Sequence, residues 1–245
     1  MSQKINTFQK KCWKNYKKDL GVENYNYGLG NPVKVHVPVD TNIGNIMIVG
    51  AYPTAHFNTV NSITNVPVAD HLYPFSDERY FDGSSVRPVK SGEELTELYL
   101  KPLGIERENC WITDLVKVFL FKPGHIDKYK ALGYPTPNVH RKDFMKLAKK
   151  SLTYLYDEIE LANPKAIILL GTEVIRTVLN VSDKKAKELM KPETVQKKIR
   201  GEDYTFFALP HPGIVMRNSE AGKAYKKKLA AQFDYIRTNH LNQPM

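Results

Sequence analysis

Cysteine is nearly absent from this chain: Cys12 and Cys110 are the only two in 245 residues. That excludes a disulfide framework and a four-cysteine metal site. Long apolar runs are missing too. No stretch approaches the roughly 18 residues needed to span a bilayer, so no helical membrane span is expected. The first twenty residues, MSQKINTFQKKCWKNYKKDL, carry lysines with no apolar run behind them. No secretory leader is expected from that pattern, and the cytoplasm is the expected compartment. There is no internal repeat and no low-complexity tract. Neither Gly-x-Gly-x-x-Gly after the first strand nor Gly-x-x-x-x-Gly-Lys-Ser/Thr occurs, which argues against the common dinucleotide and nucleoside-triphosphate sites. With 42% hydrophobic and 25% charged residues, the chain as a whole is neither disordered nor collagen-like.

Positive charge is what the chain has in excess. Lys and Arg number 36 against 26 Asp and Glu, a net charge of +10. The lysines cluster: Lys10, Lys11, Lys14, Lys17 and Lys18 near the start, and Lys223, Lys226, Lys227 and Lys228 near the end. Such clusters are often only solvated faces, but the excess favours a polyanionic partner. Residues 5–19 read as a basic amphipathic helix, and 20–45 as an extended segment. The apolar run Asn45-Ile46-Met47-Ile48-Val49-Gly50-Ala51 reads as a buried parallel strand ending in a tight turn. Residues 52–90 read as a long irregular stretch, and 91–103 as a helix. Strands follow at 110–116, 165–171 and 204–210. Residues 119–139 read as a second irregular stretch. Helices are expected over 141–162, from a Thr172 cap to 179, over a charged region 183–200, and over 220–238. Strands alternating with helices predict one α/β domain, a three-layer α/β/α sandwich around a four-stranded parallel sheet. Ligands of such sheets bind at the carboxyl ends of strands, which directs attention to 50–57, 113–125, 171–173 and 210–218.

Two of those exits are chemically dense. Gly50-Ala51-Tyr52-Pro53-Thr54-Ala55-His56 combines a tight turn with a fixed φ. Alone it reads as an ordinary strand-to-loop turn. His211-Pro212-Gly213-Ile214-Val215-Met216-Arg217 sets a histidine at a strand exit before a rigid turn. Exposed Val215 and Met216 beside Arg217 fit a wedge entering a base stack next to a phosphate.

These segments resemble the uracil-DNA glycosylase superfamily over roughly 44–218. Gly50-Ala51-Tyr52-Pro53 is similar to its first motif. Leu103-Gly104-Ile105-Glu106-Arg107-Glu108-Asn109-Cys110-Trp111-Ile112-Thr113-Asp114-Leu115-Val116-Lys117 resembles the thermophilic-type branch. Asn163-Pro164-Lys165 through Gly171 resembles its Pro-Lys-apolar-Leu-Gly strand, and His211 to Arg217 has the spacing of its last loop. The resemblance implies extrusion of a nucleotide from duplex DNA and cleavage of its N-glycosidic bond. It implies that His211 bonds the base O2 as negative charge develops there. It implies base contacts from Gly50, Ala51, Pro53, Thr54 and Phe75, and DNA contacts from Gly213, Val215, Met216 and Arg217. Tyr80, Phe81 and Val89 are further candidates for the stacking floor.

The chain departs from the family pattern in four ways. It lacks the four cysteines of the cluster-bearing branches, so no iron–sulfur cluster, other cofactor or metal is expected. Tyr52 stands where the family has a water-activating Asp or Asn, and a phenol with a pKa near ~10 is a poor base at neutral pH. His56, Asp70 and His71 are alternative candidates for that task. Asp114 stands where uracil-specific members have Asn. An ionised carboxylate repels uracil O4 but accepts from the cytosine N4 amino group, and a protonated one also donates to N3. Thr54 stands where some members carry a bulky Tyr, leaving room at pyrimidine C5. The catalytic set expected is Asp114, His211 and Tyr52, acting on a cytosine-type base with a C5 substituent, in defence or repair. Uracil or a deaminated purine is the alternative substrate. A catalytically silent DNA-binding protein on the same fold is the alternative class.

Overall fold

A computed structural model of the chain describes residues 2–216 and 219–241. In chain order the elements are α1 (Ser2–Leu20), β1 (Ile46–Gly50), β2 (Ala55–Val60), β3 (Ile63–Asp70), β4 (Arg79–Phe81), β5 (Val86–Pro88) and α2 (Lys90–Leu95). A π-helical turn, Thr96–Leu100, joins α2 to α3 (Lys101–Leu103). Then come β6 (Cys110–Asp114), α4 (Pro123–Ala131), α5 (Phe144–Ala162), β7 (Ala166–Leu170), α6 (Thr172–Leu179) and α7 (Asp183–Glu188). β8 (Val195–Ile199), β9 (Glu202–Leu209), α8 (Pro212–Val215) and α9 (Glu220–Ile236) complete the chain.

The α/β architecture is the one expected, with a correction to the strand count. The sheet has five strands in the order β6-β1-β7-β9-β8 and is flanked by helices. β1 pairs with β7 and β7 with β9 in parallel register. β8 is the additional strand, antiparallel to β9 and at the edge. It falls in the region read as charged helix, of which only Asp183–Glu188 is helical. Val195-Gln196-Lys197-Lys198-Ile199 is apolar only at its two ends, with three polar residues between, so its lysines dominate the pattern. Lysines on an edge strand also discourage pairing with other chains. The two-residue turn Arg200-Gly201 has φ of 49° and 102°, the left-handed pair that closes a tight hairpin.

Two stretches read as irregular are in fact ordered. Residues 52–90 hold two hairpins, β2–β3 and β4–β5. Val60 pairs with Ile63 across Asn61-Ser62, whose φ of 45° and 66° again mark a tight hairpin turn. Residues 119–139 hold α4, with Pro123 at its first turn. Gly171, not Thr172, is the N-cap of α6. The helical readings of 5–19, 91–103, 141–162 and 220–238 correspond to α1, the run α2 to α3, α5 and α9.

The chain divides into two compact units. One comprises residues 39–51, 94–113 and 158–245 and contains the sheet apart from the last residue of β6. Its core is the buried runs of β1 and β7 with Phe206, Phe207 and Leu209 of β9. The other comprises residues 1–38, 52–93 and 114–157. It is built on aromatic packing. Phe121 lies edge-on to Tyr25, Tyr27 and Phe119, with centroids 4.9 to 5.5 Å apart. His125 of α4 stacks on Phe119 at 5.7 Å. Such pairs add about 0.5–1.5 kcal/mol each beyond the area they bury.

Burial in this cluster, together with the charges of Lys122 and Lys128, pushes the His125 imidazole down to about 4 from its ordinary 6.5. The unfolded chain therefore takes up a proton between pH 6.5 and 4 that the folded chain refuses. Stability falls as pH falls through that window. His125→Asn keeps an acceptor for the Lys122 amide, which now bonds the ring at 3.2 Å. In urea unfolding followed from pH 7 to 4, that variant is expected to show a pH slope shallower by up to about one proton. An unchanged slope would place the acid sensitivity elsewhere.

Candidate active site

β9 ends at Leu209, and the next residues present the histidine. His211 is the N-cap of α8, with extended backbone angles, and its Nδ1 accepts a 3.1 Å hydrogen bond from the Gly213 amide. An acceptor Nδ1 fixes the tautomer of a neutral ring: the proton sits on Nε2, which is then a donor. Two contacts in the same unit hold this exit. The buried Tyr99 hydroxyl, on the π-helical turn, donates to the Pro210 carbonyl at 2.6 Å. Gln232 of α9 donates to the Ala208 carbonyl at 2.7 Å.

Gly171, at the exit of β7, has φ +95°. A Cβ there would stand 3.1 Å from the His211 Cβ. Glycine is thus required twice, for the backbone angle and for the close approach of His211. Gly50 and Ala51, at the exit of β1, are buried. The wedge reading of the last loop divides. Met216, the C-cap of α8, is 45% exposed, whereas Val215 is buried at 1%. The sequence expectation of an exposed Val215 is therefore corrected: the single turn of α8 carries it inward as an apolar anchor. Arg217 lies outside the described residues.

Tyr52, Pro53, Thr54, Phe75 and Asp114 belong to the other unit. Tyr52 is half-buried, and the Arg141 guanidinium lies 5.1 Å from its ring centre and 4.8 Å from that of Phe144. A cation over two ring faces fixes how the Tyr52 ring is presented. Sequence reasoning missed Arg141, because nothing local marks an arginine some ninety residues away as a partner. Pro53 is buried and Thr54 half-buried. Phe75 is buried with a left-handed φ of 50°. The chain at 75–76 presses on Gly92, where a Cβ would fall 2.0 Å from the Ser76 carbonyl oxygen.

Asp114 closes β6 and is 2% exposed. Lys117, three residues on, is completely buried, and its Nζ donates to the Asp114 carbonyl at 3.2 Å. Its amide donates to the Tyr16 hydroxyl at 2.8 Å, and its carbonyl accepts from the His36 amide at 2.8 Å. Of the alternative water-activating candidates, Asp70 is already engaged. It accepts from the Tyr27 hydroxyl at 2.8 Å and the Lys34 amide at 2.7 Å, with His36 Nε2 at 3.2 Å. His56 and His71 both face Glu78, at 3.1 and 3.0 Å. Burial pushes the Cys110 thiol up to about 12, so it stays protonated, unlike a metal-bound thiolate.

The close fit at Gly171 has a measurable outcome. Gly171→Ala must hold a non-glycine residue at positive φ and push His211 aside. It is expected to lower unfolding free energy by about 1–2 kcal/mol and to shift the His211 ring resonances in NMR. Gly213→Ala meets His211 Nδ1 only at 3.4 Å, an ordinary contact, and is expected to shift them far less. Equal shifts in both variants would contradict this account of Gly171.

No helix among the described residues is long and apolar enough to cross a membrane. A comparison with curated proteins finds no match. A family model described as the uracil DNA glycosylase superfamily matches residues 40–234, a span that takes in all five strands of the sheet and the exits of β1, β6 and β9. By its fold and by that match, this chain belongs to the uracil DNA glycosylase superfamily.

Proposed function

We propose that the protein is a monofunctional DNA glycosylase that flips a nucleotide out of duplex DNA and hydrolyses its N-glycosidic bond. The base is of the cytosine type with a substituent at C5. The observation that carries the substrate reading is Asp114, a carboxyl side chain buried at the exit of β6. A carboxylate accepts only, so it pairs with an exocyclic amino group and opposes a carbonyl. Facing uracil O4 it leaves two acceptors together, at a cost of about 1–3 kcal/mol, or roughly ten- to a hundredfold in preference. In its protonated form it also donates to N3 and makes the base a better leaving group. Lys117 Nζ donates to the Asp114 backbone carbonyl in the same turn and fixes the chain where that side chain is presented.

His211 supplies the complementary function. Its Nε2–H donates to O2 as the glycosidic bond breaks and electrons move onto the base, and water completes the sugar. Stabilising the leaving group carries most of the rate in this reading, because Tyr52 is a holder of water rather than a base. Thr54 leaves space at C5, and Phe75 stacks on the base. Met216 fills the vacated stack, with Gly213 and Arg217 at the neighbouring backbone. Exposed Lys10, Lys14, Lys18, Lys226, Lys227 and Lys228 suit phosphate contacts. The chemistry asks for no cofactor. The compartment would be the cytoplasm, and removal of modified cytosine would serve defence against foreign DNA, or repair.

The test is release of free base from duplexes containing uracil, hypoxanthine, xanthine, cytosine, 5-methylcytosine, 5-hydroxymethylcytosine or its glucosylated form. Cleavage of a C5-substituted cytosine is expected. Asp114→Asn is expected to shift kcat/KM toward uracil by about tenfold or more. His211→Ala is expected to slow cleavage about 100- to 1,000-fold with DNA binding retained. Release of uracil alone would refute the reading of Asp114. Binding to duplex without release of any base would make this a silent DNA-binding member of the superfamily.

A further inference from the structure

The stretch between β1 and α2 carries a cluster that the glycosylase reading does not use. His56 lies on β2, His71 follows the last residue of β3, and Glu78 precedes the first residue of β4. Among the described residues this is the one group of three or more His, Cys, Asp or Glu side chains with converging ligand atoms, all within 4.8 Å of one another. His56 Nε2 is 3.1 Å and His71 Nδ1 3.0 Å from the same Glu78 oxygen. Ligand atoms around a tetrahedral zinc, with bonds of about 2.0–2.2 Å, stand roughly 3.3–3.5 Å apart. The two histidine–Glu78 distances fall a few tenths of an ångström short of that spacing, within reach of small side-chain adjustments.

The cluster is gathered on one carboxylate oxygen, which meets both imidazoles. The His71 ring also contacts the Ala55 backbone carbonyl. The same Glu78 oxygen already accepts from the Leu72 amide at 3.1 Å. Metal-bound histidines characteristically give their second ring nitrogen to a backbone carbonyl, the place Ala55 occupies. The Tyr80 ring stacks on His56 at 4.2 Å and holds it side-on to the cluster.

We propose that His56, His71 and Glu78 form a binding site for one divalent transition-metal ion of the zinc class, which ties the β2–β3 hairpin to the start of the β4–β5 hairpin. Two imidazoles and a carboxylate are a borderline donor set, suited to zinc or cobalt rather than to calcium or magnesium. Three protein ligands leave a fourth position, and the 23% exposure of the His56 side chain admits water to it. The hairpins have reason to need such a tie. Isolated two-stranded hairpins are marginal in water, and β4 and β5 are three residues each. The site lies in one compact unit and is independent of what the protein does to DNA.

The test is direct. Metal content is measured on the protein as purified. It is then stripped with chelator and titrated with Co²⁺, read by the visible absorption of the tetrahedral ion, with Zn²⁺ as competitor. One equivalent of ion is expected. Glu78→Gln and His56→Ala are each expected to weaken binding by about 100-fold. Ion binding is also expected to slow proteolysis within 52–90. His56 is partly exposed and Glu78→Gln is isosteric, so if one variant does not fold, the other decides. Failure of the folded wild type to bind either ion saturably would overturn the proposal. So would binding that both variants retain.

Discussion

A lysine with no exposed surface must have its charge and its backbone satisfied by its neighbours, and Lys117 draws them from distant parts of the chain. Its ammonium takes the Asp114 carbonyl, its amide meets the Tyr16 hydroxyl of α1, and its carbonyl takes the His36 amide. Tyr16 in turn is hydrogen-bonded to Ser151 of α5. Four segments far apart in sequence are thereby referred to one point. That point is three residues from the carboxyl side chain on which substrate choice is proposed to rest. Moving Lys117 would leave a buried carbonyl, a buried amide and a buried phenol without this partner, each at about 1–3 kcal/mol. The rest of the unit is arranged so that this does not happen. The chain is buried without a break from Cys110 to Phe121, through β6 and the loop after it.

The histidine exit is held on a different plan. There the backbone is fixed by side chains from behind, Tyr99 on the Pro210 carbonyl and Gln232 on the Ala208 carbonyl. A missing side chain at Gly171 makes room in front. The ring then selects its own tautomer through the Gly213 amide. A donor whose proton position is set by a backbone amide is already oriented when charge develops on a partner, the condition under which a hydrogen bond accelerates chemistry most. The two plans suit the roles proposed for these residues. An acid that discriminates needs a rigid, dry surround, and a donor that follows a departing base needs one open side.

Most of the α/β pattern was legible, because β1 and β7 are unbroken apolar runs of five residues and the long helices have strong starts and stops. The site residues on those strand exits were legible as positions. What they touch was not. Arg141 over Tyr52, and Tyr99 on Pro210, are contacts between segments that local pattern does not connect. β8 was hidden by its own lysines, and the β2–β3 hairpin by a turn of Asn61-Ser62 in place of the usual Asn-Gly. Val215 illustrates a subtler limit. Sequence placed it in a loop beside Met216, and only the single helical turn of α8 decides that one faces in and the other out. Glu78 was overlooked because a carboxylate in a polar stretch has no local mark of being shared by two histidines.

The family match begins at residue 40, yet the compact unit that carries Asp114 begins with α1. Phe8, Cys12, Tyr16 and Leu20 of α1 are buried, as are Tyr25, Tyr27, Val33 and Val35 of the segment that follows. Those first residues are therefore not an appendage to a self-sufficient compact unit. They form one wall of its interior. A gene fragment trimmed to the recognisable family span would encode a protein with an open side, and the border that sequence comparison draws is not one along which this molecule divides.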